Sequence, residues 1–423
     1  MRAEDRGHGS EAKSVEAAIM SAMRRVSSDL TTLLHRRPSR GDVAGCAIVA
    51  WAYIAAAVIA ARHFVPAPDR MMVLAERIAQ GHLDSPSFFG TVDSVTHLGR
   101  AYMTVEPLLP VVYLPFVALA SLRADSSYII SVGLGILTAW LALPLARAYG
   151  ASGRVAYWVA GMTAFGTLLF YVSVFGDFYY TAHVEAFVLL ALFLLEWAGP
   201  RRAVVLGLLL AMSALARTPT VLAAVPFGLA LIWRRPDWLR RGLAFGAPMA
   251  AAVAVYAAYN WARFGSPTET GYALSRLASE ALVARRAIGL FSISQVPENI
   301  RLALLAGFTI RGTSPFLVPS PSGLSMLLVS PGLLISLRAG IRSSGTWVLW
   351  AAAALVAIPI FLYYGGGYVQ YGFRYSLDFT PFLVALVAIG ASRRFGLLER
   401  LLIVASAVSV TYGVLWHAHV VKV

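Results

Sequence analysis

Apolar runs separated by short polar turns recur along almost the whole chain, near 44–63, 127–146, 155–173, 184–197, 203–216, 219–233, 242–261, 323–337, 346–363, 379–392 and 400–416. Runs of this length approach the ~20 residues a helix needs to cross a bilayer. They predict an all-α fold, a polytopic transmembrane helical bundle of about 11 spans. The segment Pro107–Leu122 is as apolar but carries Pro107, Pro110 and Pro115 between charged loops. It reads as a helix lying along the interface. Met71–Gln80 predicts a further juxtamembrane helix, and Leu274–Leu290 an amphipathic one on the membrane surface. The organisation that follows is a polar cytoplasmic tail, 1–43, with an amphipathic stretch at Ala18–Leu34. A transmembrane domain, 44–423, comes after it, with large loops at 64–126 and 262–322.

Composition narrows the class. Of 423 residues, 58% are hydrophobic and 13% charged, with a mean hydropathy of +0.69. Soluble domains carry about 25% charged residues, so half that density rules out a disordered chain and argues against a soluble enzyme. The net charge of +14 would suit a polyanion, but it is scattered in pairs and forms no stripe, which argues against nucleic acid. Sorted by side, the charge becomes a topology signal. With 107–122 kept out of the membrane, the turns at Arg147/Arg154, Arg201/Arg202, Arg234–Arg241, Arg338/Arg342 and Arg393–Arg400 fall together, thirteen arginines against Glu196, Asp237 and Glu399. That places the N-terminus inside, the C-terminus outside and both large loops on the outer face. The lone Cys46 allows no intrachain disulfide. The Ala/Arg-rich bias suggests a bacterial multi-pass inner (plasma) membrane protein.

The first loop reads PDRMMVLAERIAQGHLDSPSFFGTVDSVTHLGRAYMTVEPLLP, an acid, a short helix, a Gly-containing turn and a proline-led helix. In this layout it resembles the first periplasmic loop of GT-C membrane glycosyltransferases, of the protein O-mannosyltransferase and aminoarabinose transferase type. SALARTP (213–219), YNWARFGSPTETGYAL (259–274) and YGFRYSLDFTPF (371–382) fit the same picture. The chain departs from that type in having no adjacent Asp-Glu pair after the first span.

The resemblance implies transfer, with inversion, of a sugar from a polyprenyl-phosphate lipid to a glycan, lipid or protein acceptor on the outer face. Such chemistry needs a carboxylate base and fixed positive charge on the departing phosphate. Asp69 and Asp93 are the candidate catalytic acids; Asp69 also suits a helix N-cap and Asp93 an Asx turn. Arg217, isolated between two apolar runs, and Arg374 are candidates for the donor phosphate. Arg217 also suits snorkelling, and Arg374 an i,i+4 pair with Asp378. Glu106, Asp177, His183, Tyr375 and Asp378 are candidates for substrate binding, with Tyr368, Tyr371 and Tyr375 as an aromatic lid. Glu185 joins His183 in an otherwise apolar helix, and Arg285 and Arg286 suit anionic headgroups. A divalent metal is compatible with His82, His97 and the acids but not required. A transporter or lipid flippase of the cell envelope is the competing reading; it should show internal repeats, and none is visible.

Overall fold

The structure, a computed structural model, describes residues 39–63, 69–119, 126–341, 345–368 and 370–418. The predicted tail, up to Pro38, lies outside them.

The chain is helical almost throughout. Five helices are long and apolar enough to cross a membrane: Gly41–Ala61, Ser126–Ala148, Phe178–Ala198, Trp238–Phe264 and Leu397–His417. A sixth is made of Gly153–Phe165 and Leu168–Phe175, bent by 43°. The bend has a local cause. Thr167 ends one helix by bonding back to the Thr163 carbonyl (2.8 Å) and caps the next through the Leu169 N–H. The remaining apolar runs fold into shorter helices, Ala203–Ala216, Thr218–Ile232, Thr346–Leu362 and Thr380–Arg393. The run at 323–337 makes no continuous helix. Met326–Val329 stops at Ser330, and Pro331–Ala339 continues as a tighter helix, because Pro331 has no N–H to carry the ladder on.

Phe178–Ala198 is the most buried of the long helices. Its apolar residues pack on Ser126–Ala148, Ala203–Ala216 and Thr380–Arg393. Small residues set the closest crossings: a Cβ at Gly390 would stand 2.3 Å from the Ile335 carbonyl oxygen.

The described parts of both large loops are held by their own hydrogen bonds. The first starts with the helix Arg70–Ala79, close to its expected bounds. It continues through an antiparallel hairpin, Ser94–His97 with Arg100–Met103. Leu98 and Gly99 both have positive φ (48° and 75°), the type I′ turn that matches strand twist. Helix Leu108–Ala118 follows; its 11 residues reach about 16 Å, half a hydrocarbon core. Met71, Leu74, Phe88, Met103, Leu109 and Tyr113 form a small core of their own. The second loop docks on the hairpin: the Asp93 N–H donates to the Arg276 carbonyl and the Arg276 N–H to the Ser94 carbonyl (2.8 and 2.9 Å). Buried Arg263 adds a bond to the Met103 carbonyl (2.9 Å). The amphipathic helix expected over Leu274–Leu290 forms only at Glu280–Ala287, where Ser279 caps it.

Candidate active site

Five segments enclose one cavity of about 680 Å³: the first loop from Val92 to Leu109, Asp177–His183, Arg217–Leu222, the second loop from Thr270 to Phe291, and Pro359–Tyr375. Each includes one of the stretches that the arginine count assigns to the outer side. Tyr256, inside the helix Trp238–Phe264, and His417, the last residue of Leu397–His417, complete the wall. Eight tyrosines line it, at 179, 180, 256, 272, 363, 364, 368 and 375, with Leu109, Leu277, Leu282 and Ile360 as apolar floor.

Asp93 stands at the base of the hairpin. Its φ of 60° is left-handed, a conformation aspartate tolerates better than most residues. Three backbone-directed bonds fix it there: its N–H reaches Arg276, and its carbonyl accepts from the Thr104 N–H and hydroxyl (3.1 and 2.8 Å). The carboxylate accepts from the Tyr179 hydroxyl at 2.5 Å. Burial pushes its pKa up, against the opposing pull of Tyr179 and the positive charge of Arg374, Arg70 and Arg286. Asp177 is a helix cap, accepting the Tyr179 N–H at 2.9 Å, and burial raises its pKa too.

Arg374 sits among rings, its guanidinium carbon 5.2 Å from the Tyr375 centroid and 5.7 Å from that of Tyr180. One nitrogen reaches the Tyr368 carbonyl at 3.4 Å, while Nε is buried without a hydrogen bond. Among the described residues no carboxylate lies within ion-pair distance of it. The expected Arg374–Asp378 pair does not form.

Asp378 pairs with Arg217 instead. Arg217 Nε stands 3.2 Å from both carboxylate oxygens, and Nη2 is 3.0 Å from Oδ2. His183 Nδ1 meets Oδ1 at 2.7 Å. Asp378 is fully buried. Burial alone would raise its pKa, but Arg217 and His183 outweigh it and hold the group at about 2. Glu106, also buried, lies 4.0 Å from Arg217 Nη1 and 3.5 Å from the Tyr272 hydroxyl. Burial is the larger influence there and raises its pKa.

Of the nine residues singled out in the sequence, Asp93, Glu106, Asp177, His183, Arg217, Arg374 and Tyr375 line this cavity. Asp378 stands directly behind His183 and Arg217. Asp69 does not reach it. Its Oδ1 caps Arg70–Ala79 through the Met71 and Met72 N–H groups (both 3.1 Å), and its Oδ2 accepts from the Ser127 and Ser126 hydroxyls (2.5 and 3.1 Å). Both carboxylate oxygens are engaged in joining the loop helix to the helix that starts at Ser126, so the capping alternative describes its place.

Other expectations change as well. Tyr371 is no lid residue; it is buried, with its hydroxyl 3.2 Å from that of Ser409. Arg285 bonds to Gln295 and Asn299, and Arg286 to the Tyr272 and Ser275 carbonyls, so both staple the second loop together. His82 and His97 are not in the wall, and among the described residues no three His, Cys, Asp or Glu side chains converge as a metal site. Glu185 is buried with neither carboxyl oxygen hydrogen-bonded. Sequence reasoning passed over Tyr256, Tyr363, Tyr364 and His417; the Tyr-Tyr doublet ahead of Gly365–Gly367 was the available signal for two of them.

Searches of family models, curated proteins and solved structures find no match to this chain.

Proposed function

We propose that the chain is an integral-membrane glycosyltransferase of GT-C type, working on a polyprenyl-phosphate-linked sugar. The observation that carries this reading is one apolar, tyrosine-rich cavity holding both a half-buried carboxylate, Asp93, and an arginine without a carboxylate partner, Arg374. A lipid-linked donor has the matching chemistry: an apolar chain, a ring that stacks on aromatic faces, and a phosphate that takes an arginine fork.

In this reading Asp93 accepts the proton of the acceptor hydroxyl as that oxygen bonds to the anomeric carbon. The bond from that carbon to the phosphate oxygen breaks on the opposite face, inverting the centre. The electron pair leaves with polyprenyl phosphate, and Arg374 faces the charge that develops. A carboxylate with a raised pKa is the better proton acceptor. Arg217 is held by Asp378 and presents Nη1 towards Glu106, so its part in phosphate binding is secondary. Glu106, Asp177, His183 and Tyr375 shape the sugar and acceptor sites. The eleven-span arrangement belongs to the same proposal. It uses the short helices as spans and puts the cavity on the outer face of the inner membrane, with the N-terminus inside and the C-terminus outside.

The test is sugar transfer from a panel of polyprenyl-phosphate sugars in membranes carrying wild-type, Asp93→Asn or Asp69→Asn protein. The expected result is loss with Asp93→Asn and retention with Asp69→Asn. Full activity of Asp93→Asn overturns the mechanism. Movement of the lipid across the bilayer without sugar transfer points to the flippase reading.

A further inference from the structure

The pair formed by His183 in the cavity wall and Asp378 behind it differs from the residues used above, because one of its members has an unspent nitrogen. His183 and Asp378 are both essentially inaccessible and stand 2.7 Å apart. Asp378 is kept ionised by the Arg217 fork, and a carboxylate only accepts hydrogen bonds. The imidazole proton therefore sits on Nδ1, which leaves Nε2 with a lone pair and no hydrogen. His183 is among the residues lining the cavity, and no protein donor bonds to Nε2 among the described residues. Orientation is fixed from two sides, by Asp378 at one edge and by the Tyr375 ring, edge-on at 5.7 Å. Arg217 in turn lies 5.7 Å from the same Tyr375 ring.

We infer that His183 reads a hydroxyl group of the transferred sugar, accepting its hydrogen at Nε2 while the sugar's apolar face lies against the tyrosines. This deepens the proposed glycosyltransferase reading and rests on it. The role is recognition and not proton removal, for a physical reason. In a catalytic Asp-His pair the carboxylate's charge stabilises the imidazolium that forms. Here Arg217 already matches that charge, so little is left for the imidazole. Asp93, with no guanidinium bonded to it, remains the base. Asp378 and Arg217 are positioning residues, acting through the histidine. A site built to accept a hydroxyl rejects the analogue that lacks it, because its buried acceptor is then left unpaired.

The experiment uses full-length protein in nanodiscs, a polyprenyl-phosphate hexose that the wild type accepts, and its four monodeoxy analogues at positions 2, 3, 4 and 6. Wild-type kcat/KM should fall by about ten- to a hundredfold for one analogue, the effect of leaving one buried acceptor unpaired. In His183→Ala that same analogue and the parent should react alike, with the loss appearing only for the parent. His183→Gln, which keeps an acceptor, should restore part of the preference and guards against a variant that merely folds poorly. If His183→Ala is active and still rejects that analogue as strongly as the wild type, the inference is overturned while the glycosyltransferase reading stands. A wild type that transfers no sugar from any donor overturns both.

Discussion

Two groups of charged residues share the cavity wall and are held in opposite ways. Arg217, Asp378 and His183 answer one another: a fork on a fully buried carboxylate, with an imidazole on the same oxygen. Asp93 and Arg374 carry opposite charges but bond to a tyrosine hydroxyl and a backbone carbonyl instead of to each other. A charge matched inside the protein has little left for a ligand, and its desolvation is already compensated. A charge left with neutral partners keeps its field directed into the cavity. In the proposed mechanism the first set is the scaffold and the second the reacting set. Asp69 extends the contrast, since its carboxylate is fully engaged at a helix start in the same loop as Asp93.

The contrast breaks most visibly if Asp93 is dispensable. Asp93→Asn should lower kcat for sugar transfer by about 10³-fold, within the usual range for losing a general base, with little change in thermal midpoint. Next comes Arg217→Gln. It leaves Asp378 buried with the His183 imidazole in place of an ion-pair partner, and breaking a buried pair typically costs about 3–5 kcal/mol, so its signature is a large fall in thermal midpoint or in yield in detergent. Arg374→Gln should do the reverse, lowering kcat/KM by about a hundredfold while the thermal midpoint holds. A double mutant of Arg217 and Arg374 should show nearly additive effects on these separate readouts; strong coupling would mean that the two groups are one network. Smaller again, Asp69→Ala removes a helix cap worth about 1 kcal/mol, lowering the melting temperature by a few degrees without a tenfold change in rate.

The distinction was only partly legible in the sequence. Hydropathy placed the long helices well, because each is a single run of mostly apolar residues. It failed at 323–337, where Pro331 breaks an apolar run that has no other mark. The hairpin turn was only half marked: Gly99 suits one of its two positive-φ positions, but Leu98 fills the other with no signal in the sequence. Seven of the candidate residues converge because ionisable groups in apolar surroundings are few, and burying them needs partners or a cavity. Which partner each one takes was invisible. Asp378 lies four residues from Arg374, a spacing that suggests a helical pair, yet the tight turn at Arg374–Asp378 sends the two apart. The carboxylate turns instead to Arg217, a contact across 161 residues that no local pattern encodes. Asp69 and Asp93 looked alike for the same reason: both precede an ordered segment, and only the serines at 126 and 127 separate them.

The smallest predicted effect separates the two sets by proton linkage. Asp93 has a folded-state pKa raised by burial. In the window between its unfolded and folded values the folded protein binds more protons, so stability falls as pH rises through that window. Asp378 has a pKa lowered to about 2. Its contribution is present above the ordinary carboxylate value and is lost only as pH falls towards 2. Raising pH from about 4 to 7 should therefore leave the Arg217–Asp378 share of stability unchanged and erode the share that Asp93 holds, by a few degrees of melting temperature at most because the group is half-buried. Thermal unfolding in nanodiscs across that range measures both. Asp93→Asn should flatten part of the slope, and the kcat/KM profile of the wild type should rise with pH through the same raised value, since only the deprotonated carboxylate accepts a proton. A slope that survives Asp93→Asn intact would assign the linkage to Glu106 or Asp177, whose values burial also raises, and would move the search for the base to those two.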